Sequence, residues 1–563
     1  MRSYLLLIVL FLVNLPFQVD AQSLTPQSYE NGLVVSAEER ASMVGRDILR
    51  QGGNAVDAAV AVQFALAVTL PRAGNIGGGG FMVIRLANGE VNTLDFREVA
   101  PRRANRNMYI RNGEFQPELS WEGALAVGVP GTVDGMIKAL ERYGRLPLDV
   151  VIQPAIELAR NGYALSYTQA MELNSYAGTF KKFESSARYF TKEDQSEYQE
   201  GDIFIQRDLA ETLSLISRFG REGFYSGQVA DAIVSEMRKL NGLITYRDLR
   251  DYESKWRAPV KTQFMGYTLH IMPPPSSGSI AVAQILSMID DYPLAGLGHN
   301  SSDYIHLITE AMRRAFADRA YYLGDPDFWN VPESDLLSNR YNERRFANFS
   351  MDRATSSYEI EHGEIPRFNE SSQTTHFSVV DTDGNAVAVT TTLNGSFGSK
   401  VAVGRAGFLL NNEMDDFSAQ PGVANAYGLI GGEANSIQPR KRMLSSMTPA
   451  IVSKDGKLRM VIGAAGGPRI ITGTLQTFLN GAVFGMNAQE AISAPRFHHQ
   501  WFPDQIYLEE YGFNKDTYNL LTSKGHKITT RPTVGRGHII FVDPDGIKSA
   551  GVDPRGDGAA SGY

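Results

Sequence analysis

The chain has 563 residues, 43% hydrophobic and 21% charged, so it can bury a large core and has the composition of a globular protein. Its formal charge is −8, without the basic excess typical of proteins that bind duplex nucleic acid or anionic membranes. It contains no cysteine, which excludes disulfides, thiolate catalysis, iron–sulfur clusters and cysteine-ligated zinc.

The N-terminus predicts export. Arg2 precedes an apolar run over residues 5–13, and small residues at the usual spacing end at Ala21. This pattern is typical of a secretory signal peptide. The alternative is an uncleaved anchor, but the apolar run is too short to span a bilayer core of about 30 Å comfortably. We expect residues 1–21 to be removed and the mature protein to be periplasmic or secreted, with no membrane attachment.

The first elements after the signal are two helices and a hairpin. Ser36, followed by acidic residues, predicts a capped helix that ends near Leu49, and Asn54 predicts the cap of a second helix over residues 55–70. The glycine-rich residues 77–80 lack the Lys-Ser/Thr of a P-loop and the spacing of a dinucleotide fingerprint, so they predict a tight turn or close packing. Two apolar runs after them predict a β-hairpin, over residues 81–86 and 91–97.

The middle of the chain, residues 130–345, is predicted to be mostly helical. Apolar residues recur there at three-to-four spacing in six segments, at residues 133–143, 151–161, 208–218, 229–240, 280–289 and 303–322. The polar residues 353–370 have no apolar period and predict an exposed linker.

At Thr375 the pattern changes to hairpins. Three pairs of strands are predicted, at residues 376–381 with 386–392, 450–454 with 458–464, and 539–543 with 547–551. Helices are predicted between them at residues 470–484 and 517–524. The hairpins must pair non-locally and the helices must cover the sheet faces, which predicts an α/β (α+β) fold.

The sequence lacks a G-x-S-x-G elbow, an H-E-x-x-H motif and an EF-hand loop. The adjacent His498 and His499 would point apart on a helix or strand, so they are interpreted as structural or surface residues and not as a metal pair. No metal site and no cofactor is predicted.

Thr374 and Thr375 stand where the polar linker meets a predicted strand. A threonine hydroxyl is a weak nucleophile within a chain, but at a chain N-terminus it gains a base, because the α-amine has a pKa of about 7.7–8.0. The alternative is that both residues simply begin a β-strand, which threonine favours.

Four other features suggest a site, and each has a plain structural alternative. Gly466-Gly467 would offer paired N–H groups as an oxyanion hole, or form a strand-to-helix turn. Residues 411–417 would bind an ammonium group, or form a turn. Residues 444–449 would hold a carboxylate through their hydroxyls, or form a turn. Arg97 would bind a carboxylate in bidentate fashion, or form a surface ion pair.

Taken together, these segments resemble the γ-glutamyltransferase (γ-glutamyltranspeptidase, glutathione hydrolase) family. The matching motifs are Thr374-Thr375-His376-Phe377-Ser378-Val379-Val380-Asp381, Leu444-Ser445-Ser446-Met447-Thr448-Pro449, Gly466-Gly467, Gly53-Asn54-Ala55-Val56-Asp57-Ala58-Ala59, Asn75-Ile76-Gly77-Gly78-Gly79-Gly80-Phe81 and Asp95-Phe96-Arg97-Glu98. The resemblance runs from about residue 30 to Tyr563.

The resemblance implies an N-terminal-nucleophile hydrolase with an αββα four-layer sandwich. It implies that the precursor cleaves itself between Gln373 and Thr374. The products would be a large subunit, residues 22–373, and a small catalytic subunit, residues 374–563, which together form one domain.

It also implies the roles of the site residues. Thr374 would be the nucleophile, Thr392 would orient it, and the amides of Gly466 and Gly467 would hold the oxyanion. The α-carboxylate of a γ-glutamyl group would be bound by Arg97, Ser445 and Ser446, and its α-ammonium group by Asn394, Glu413 and Asp416. Residues 424–439 resemble a lid loop in which Tyr427 is the aromatic gate, or they form an ordinary surface loop.

The implied reaction moves the γ-glutamyl group of glutathione and related compounds to water, or to an amino acid or peptide, through an ester on Thr374. Its partners are small molecules, and neither a cofactor nor a nucleic acid is involved. One alternative is a glutaryl- or cephalosporin-type acylase of the same fold, although a glutaryl group lacks the amine that Asn394, Glu413 and Asp416 would bind. The other is a non-catalytic relative, which the intact set of Thr374, Thr392 and paired glycines disfavours.

Overall fold

Two large antiparallel sheets form the centre of the computed structural model, which describes residues 24–360, 374–420 and 431–563. The first sheet, in spatial order, consists of Ala559–Gly562, Leu33–Ser36, Thr375–Val380, Ala386–Thr392, Gly79–Arg85, Val91–Asp95 and Lys255–Arg257. The second consists of Ser28–Tyr29, Lys548–Val552, Arg536–Val542, Lys457–Ile462, Ala450–Lys454, Tyr267–Ile271 and Val260–Phe264, with Ala464–Ala465 paired beside Arg536–Val542.

The two sheets pack face to face, and helices cover the outer face of each sheet. Successive side chains of a strand point to opposite faces, so each strand contributes to both the inter-sheet core and a helical layer. Leu33 and Val35 belong to the core between the sheets, whereas Val34 between them packs in the helical layer. In the second sheet, Ile451 faces the inter-sheet core while Val452 packs against the helices on the far side. The predicted α/β fold with four αββα layers is therefore confirmed.

The helices fall into two layers. The layer beside the first sheet includes Glu39–Arg50, Ala55–Thr69, Thr132–Tyr143, Leu148–Asn161, Tyr167–Phe180, Glu184–Phe190, Arg207–Phe219, Glu222–Tyr225, Gly227–Lys239 and Tyr246–Arg250. The layer beside the second includes Gly278–Ile289, Leu294–Leu297, Ser302–Tyr322, Asn339–Phe346, Arg469–Ala482, Ala488–Ser493 and Lys515–Ser523. Short helices at Pro117–Trp121 and Glu333–Leu336 complete the set for the described residues.

Small strands lie outside the two large sheets. Phe497–His498, Ile506–Glu509 and Ile528–Arg531 form a three-stranded sheet, and two pairs are formed by Ile110–Arg111 with Glu114–Phe115 and by Tyr163–Ala164 with Ile203–Phe204.

The capping prediction at Ser36 is wrong, whereas that at Asn54 is confirmed. Ser36 ends a strand, and the helix is capped by Glu38, whose carboxylate accepts from the Ala41 N–H at 3.1 Å. Asn54 forms a reciprocal capping box with Asp57. Its helix is buried along its whole length because it lies between the first sheet and an outer helix.

The prediction of a mostly helical middle missed three strands of the two large sheets, Lys255–Arg257, Val260–Phe264 and Tyr267–Ile271, and the small pair Tyr163–Ala164 with Ile203–Phe204. The three strands are short, lie at a sheet edge or next to it and have mixed polarity, so their apolar period is weak. Two terminal strands, Leu33–Ser36 and Ala559–Gly562, were missed as well, and they pair with each other. The described part of the linker, residues 353–360, has no helix or strand, as expected.

Three predictions fall outside the described residues: the signal peptide, Gln373 on one side of the cleavage site, and Tyr427 of the lid. Within the described ranges, no helix is both long and apolar enough to cross a membrane.

Candidate functional site

The two candidate threonines lie at the same edge of the first sheet. Thr374 directly precedes strand Thr375–Val380, and Thr375 is paired with Thr391, which precedes Thr392 at the end of the neighbouring strand. These strands are at the centre of the sheet and are buried on both faces. The Thr374 side chain is 8% exposed, so the packed sheet fixes its position while leaving it accessible. The predicted pairing of residues 376–381 with 386–392 is confirmed, and it brings Thr374 and Thr392 to the same edge of the sheet.

The glycine-rich segment supports this edge through close packing. A Cβ at Gly78 would lie 2.1 Å from the carbonyl oxygen of Thr392, and one at Gly79 would lie 2.5 Å from that of Phe96. Asn75 clamps the same strand end, because its amide nitrogen donates to the Thr392 carbonyl at 2.9 Å. Close approach of backbones is therefore the reason for these glycines.

A small cavity opens at this edge. It is lined by Arg97, Thr374, Thr392, Asn394, Glu413, Asp416, Ser445, Ser446, Met447, Gly467, Pro468 and Ile470. Of the predicted site residues that the structure describes, Gly466 alone is absent from this lining, and it adjoins Gly467. Residues that are up to 373 positions apart in the sequence, Arg97 and Ile470, thus meet in one small space.

One side of the cavity carries a buried cluster of charges around Arg97. Its Nη1 lies 2.5 Å from Glu413 Oε2 and its Nη2 lies 2.5 Å from Asp416 Oδ2. Burial lowers the pKa of Arg97, but the surrounding carboxylates outweigh this effect and raise it. Burial raises the pKa of both Glu413 and Asp416, and Arg97 opposes the rise.

Glu98 belongs to the same cluster, although sequence reasoning gave it no role. Neither of its carboxylate oxygens has a hydrogen-bond partner among the described residues, and Arg97 Nη1 lies 3.6 Å away. Its side chain is fully buried. Burial raises the pKa of Glu98 to about 8, against the opposing charge of Arg97. Its place in the Asp95-Phe96-Arg97-Glu98 motif was the signal available in the sequence.

The turn that carries the acids is held by Asn411. Its side-chain amide donates to the Gly77 carbonyl at 2.9 Å and to the Gly128 carbonyl at 2.8 Å, and its oxygen accepts from the Glu413 N–H. Glu413–Asp416 follows as a short 3₁₀ helix. Asn394 adopts a left-handed backbone with φ of 73° and donates from its side chain to the Asn412 carbonyl. The polar residues around 411 therefore form a turn that also positions cavity residues.

Ser445 and Ser446 also line the cavity. The Ser445 N–H donates to the Pro275 carbonyl, and the Ser445 carbonyl accepts from the Ser277 N–H, both at 2.8 Å. Arg319, a second residue that sequence reasoning missed, donates to Ser446 Oγ at 3.2 Å. Its helix also carries Asp303, Glu310, Arg313, Arg314 and Asp318, so no signal in the sequence distinguishes Arg319 from these other charged residues.

Gly466 and Gly467 connect strand Ala464–Ala465 to helix Arg469–Ala482. Their φ values are +131° and +59°, which favour glycine, and a Cβ at Gly466 would lie 2.9 Å from the Cα of Gly535. Within the described part of the chain, neither N–H donates to a protein acceptor. Two free N–H groups beside the cavity can stabilise an oxyanion.

His498 and His499 both form hydrogen bonds within the fold. His498 bonds to Thr472 through Nδ1 at 2.8 Å, whereas His499 contacts Asp504 at 3.4 Å, so the two rings diverge as predicted. A separate buried group, His306, Glu310 and His526, has the spacing to hold a metal ion. Its atoms already have hydrogen-bond partners: His306 Nδ1 lies 2.7 Å from His526 Nε2 within the group, and Glu310 accepts from Arg314 at 2.7 Å.

The sequence profile of the family described as Gamma-glutamyltranspeptidase matches residues 41–563. The Glutathione hydrolase proenzyme of Escherichia coli (strain K12) is 46% identical over 550 residues, which cover 97% of this chain and 94% of that protein.

Two solved structures are also similar. The gamma-glutamyltranspeptidase of Helicobacter pylori is 49% identical with a TM-score of 0.57, covering 58% of this chain and 94% of the solved one. The cephalosporin acylase of Bacillus halodurans is 27% identical with a TM-score of 0.86, covering 99% of both chains.

Proposed function

Because this chain belongs to the γ-glutamyltranspeptidase family, we propose that it is a self-cleaving γ-glutamyltransferase and glutathione hydrolase. The observation that carries the proposal is the shared cavity of a hydroxyl nucleophile, Thr374, and groups of both charges, Arg97, Glu413 and Asp416. A γ-glutamyl group has a reactive amide at one end and a zwitterion at the other. Its chemistry matches this arrangement.

Maturation begins with attack of the Thr374 hydroxyl on the carbonyl carbon of Gln373. The C–N bond breaks as the C–O bond forms, which leaves an ester and a free Thr374 amine. Water then opens the ester, so that Gln373 ends in a carboxylate and Thr374 regains its hydroxyl. The subunits would be residues 22–373 and 374–563. In support, the Helicobacter pylori chain aligns with 58% of this one, close to the share of the larger fragment.

In the mature enzyme, the α-amine of Thr374 takes the proton of its own hydroxyl, directly or through water. The oxygen attacks the γ-amide carbon of glutathione, and the N–H groups of Gly466 and Gly467 stabilise the oxyanion. One such donor is typically worth about 3–4 kcal/mol. The amine of the leaving peptide takes up the proton, and a γ-glutamyl ester on Thr374 remains. Water or an amino acid or peptide then resolves this ester, giving hydrolysis or transfer.

Each charged group of the donor zwitterion is bound by cavity residues that complement its charge. Arg97, Ser445 and Ser446 bind the α-carboxylate, while Asn394, Glu413 and Asp416 bind the α-ammonium group. Among the described residues, the carboxylates of Glu413 and Asp416 share Arg97 as their ion-pair partner, each at 2.5 Å. An incoming ammonium group therefore adds a favourable charge.

The second candidate is a glutaryl- or cephalosporin-type acylase, favoured by the similarity to the Bacillus halodurans enzyme at a TM-score of 0.86. A glutaryl group has no amine, so Glu413 and Asp416 would keep Arg97 as their shared cation and would gain no second one. Two buried acids that share one cation disfavour the acylase, because burial of a carboxylate is costly unless its charge is compensated.

We propose that the exported precursor loses residues 1–21 and works in the periplasm or outside the cell as a heterodimer of its two fragments. Tyr427 would gate the cavity as part of a lid.

The test has two parts. N-terminal sequencing of the smaller fragment should read Thr-Thr-His-Phe-Ser, and an active enzyme that remains one continuous chain would contradict the processing mechanism. The purified enzyme should release glutamate from glutathione faster than it releases glutarate from a glutaryl-cephalosporin. A preference for the glutaryl compound would establish the acylase instead.

A further inference from the structure

Arg319 is a buried cation beside the cavity, and no carboxylate of the described residues forms an ion pair with it. It lies on helix Ser302–Tyr322 and is 4% exposed. Its Nε donates to Ser277 Oγ at 2.9 Å and its Nη2 donates to Ser446 Oγ at 3.2 Å. No ion pair to it exists among the described residues, and the adjacent Asp318 pairs with Arg345. A guanidinium group buried in this way is costly unless another charge compensates it.

The hydrogen-bond directions at the two serines follow from counting donors. Ser277 gives its single hydroxyl hydrogen to the Ser445 carbonyl at 2.6 Å, so its oxygen accepts from Arg319. Ser446 Oγ also accepts from Arg319. Because a guanidinium group can only donate, the hydroxyl hydrogen of Ser446 is left to point elsewhere. Ser446 lines the cavity, so that hydrogen is available to an acceptor there.

The charges nearby show why a second cation matters. The positive charge of Arg97 is already opposed by Glu413 and Asp416, each at 2.5 Å. Arg97 alone therefore gives the cavity no net positive charge to offer an α-carboxylate. Burial lowers the pKa of Arg319 to about 10, with Asp416 opposing the shift, so Arg319 remains charged at neutral pH.

We propose that Arg319 is a positioning residue for the donor. Its hydrogen bond to Ser446 orients the Ser446 hydroxyl toward the α-carboxylate of the γ-glutamyl group. Arg319 also supplies a positive charge near that carboxylate, because the charge of Arg97 is already opposed by two acids. A hydroxyl bonded to a cation is a stronger donor than a free one. This inference rests on the proposed function and goes beyond the residues that line the cavity. It makes Arg319 specific for the carboxylate half of the zwitterion.

The test compares three p-nitroanilide donors that differ in one charged group each. The γ-glutamyl donor has both charges, the glutaryl donor has only the carboxylate, and the 4-aminobutanoyl donor has only the ammonium group. In Arg319→Gln, we expect kcat/KM to fall about 10- to 100-fold for the two donors with a carboxylate. The 4-aminobutanoyl donor should change less than about threefold, because it has no carboxylate to lose. An equal loss for all three donors would overturn the proposal.

Two further variants keep the test decisive. Arg319→Lys retains the charge but not both contacts, so its loss on the carboxylate donors should lie between those of the wild type and Arg319→Gln. If Arg319→Gln does not mature, Ser277→Ala removes one of the two contacts of Arg319 and should give a smaller loss with the same donor dependence. A loss of kcat/KM in these variants that is equal for donors with and without a carboxylate would again overturn the proposal.

Arg314→Gln is the matched control. Arg314 is a fully buried arginine on the same helix, but it bonds to Glu310 and Asn348 and does not reach the cavity. It should alter stability without altering the ratio of kcat/KM between the three donors. If the wild type fails to cleave the γ-glutamyl donor, the proposed function fails. If it cleaves that donor and Arg319→Gln leaves the ratios unchanged, the inference about Arg319 alone fails.

Discussion

The two ends of the cavity are built in different ways. The reaction end, formed by Thr374, Thr392, Gly466 and Gly467, uses hydroxyls and backbone N–H groups at the ends of strands in the two packed sheets. The recognition end, formed by Arg97, Glu413 and Asp416, uses side-chain charges that neutralise one another. Changes at the reaction end should therefore slow every donor alike, whereas changes at the recognition end should alter the choice between donors.

The largest effect is expected at the reaction end, for Thr374→Ala. This variant has no hydroxyl to attack Gln373, so we expect a full-length precursor with activity reduced at least about 10⁴-fold. Gel electrophoresis and a glutathione hydrolysis assay measure both properties. Thr375→Val is the matched control, because the Thr375 hydroxyl has no hydrogen-bond partner among the described residues and should be dispensable. Normal cleavage of Thr374→Ala would exclude self-attack by this residue.

Gly466→Ala should have the next largest effect. A Cβ at φ of +131° and 2.9 Å from the Gly535 Cα forces the turn to move, which displaces the oxyanion donors. We expect kcat to fall about 100-fold for γ-glutamyl and glutaryl donors alike. The control is Gly473→Ala in the following helix, where a Cβ would meet Ala464 Cβ at an ordinary 3.5 Å. A loss confined to one donor would mean that these glycines select substrates.

The reaction end was easier to predict from sequence than the recognition end. The pairing of Thr374 with Thr392 follows from a single hairpin, because the turn at residues 382–385 sets the register locally. Arg97, Glu413 and Asp416 were assigned through a resemblance, since nothing local in the sequence shows that a strand end and a 3₁₀ turn over 300 residues away will meet.

Glu98 and Arg319 were missed for a related reason. A single charged residue has no periodic signature that distinguishes a buried functional group from a surface one. The edge strands around residue 260 were missed because a mixed edge strand has little apolar period.

Asp416→Asn tests the recognition end. It removes one partner of the donor ammonium group and relieves part of the negative charge around Arg97. We expect the ratio of kcat/KM for γ-glutamyl over glutaryl p-nitroanilide to fall about tenfold or more. Asp415→Asn removes the same charge one residue away, where Asp415 accepts from Ser120 and does not line the cavity, so its effect on the ratio should be smaller. An unchanged ratio in Asp416→Asn would refute its role in binding the amine.

The smallest effect concerns Glu98 and is measured as stability. Burial raises the pKa of Glu98 to about 8, from 4.5 for an exposed glutamate. Between these two values the native chain keeps a proton that the unfolded chain has released, so this carboxyl makes the native state less stable as pH rises, and the effect levels off above about pH 8.

Glu98→Gln has no proton to lose. Its melting temperature relative to the wild type should therefore rise from pH 5 to pH 9, while the ratio of kcat/KM between donors changes little. Melting curves of both mature proteins at matched ionic strength measure this trend. A difference in melting temperature that stays constant with pH would mean that Glu98 is ionised in the native state, and the recognition end would then carry one more negative charge than inferred here.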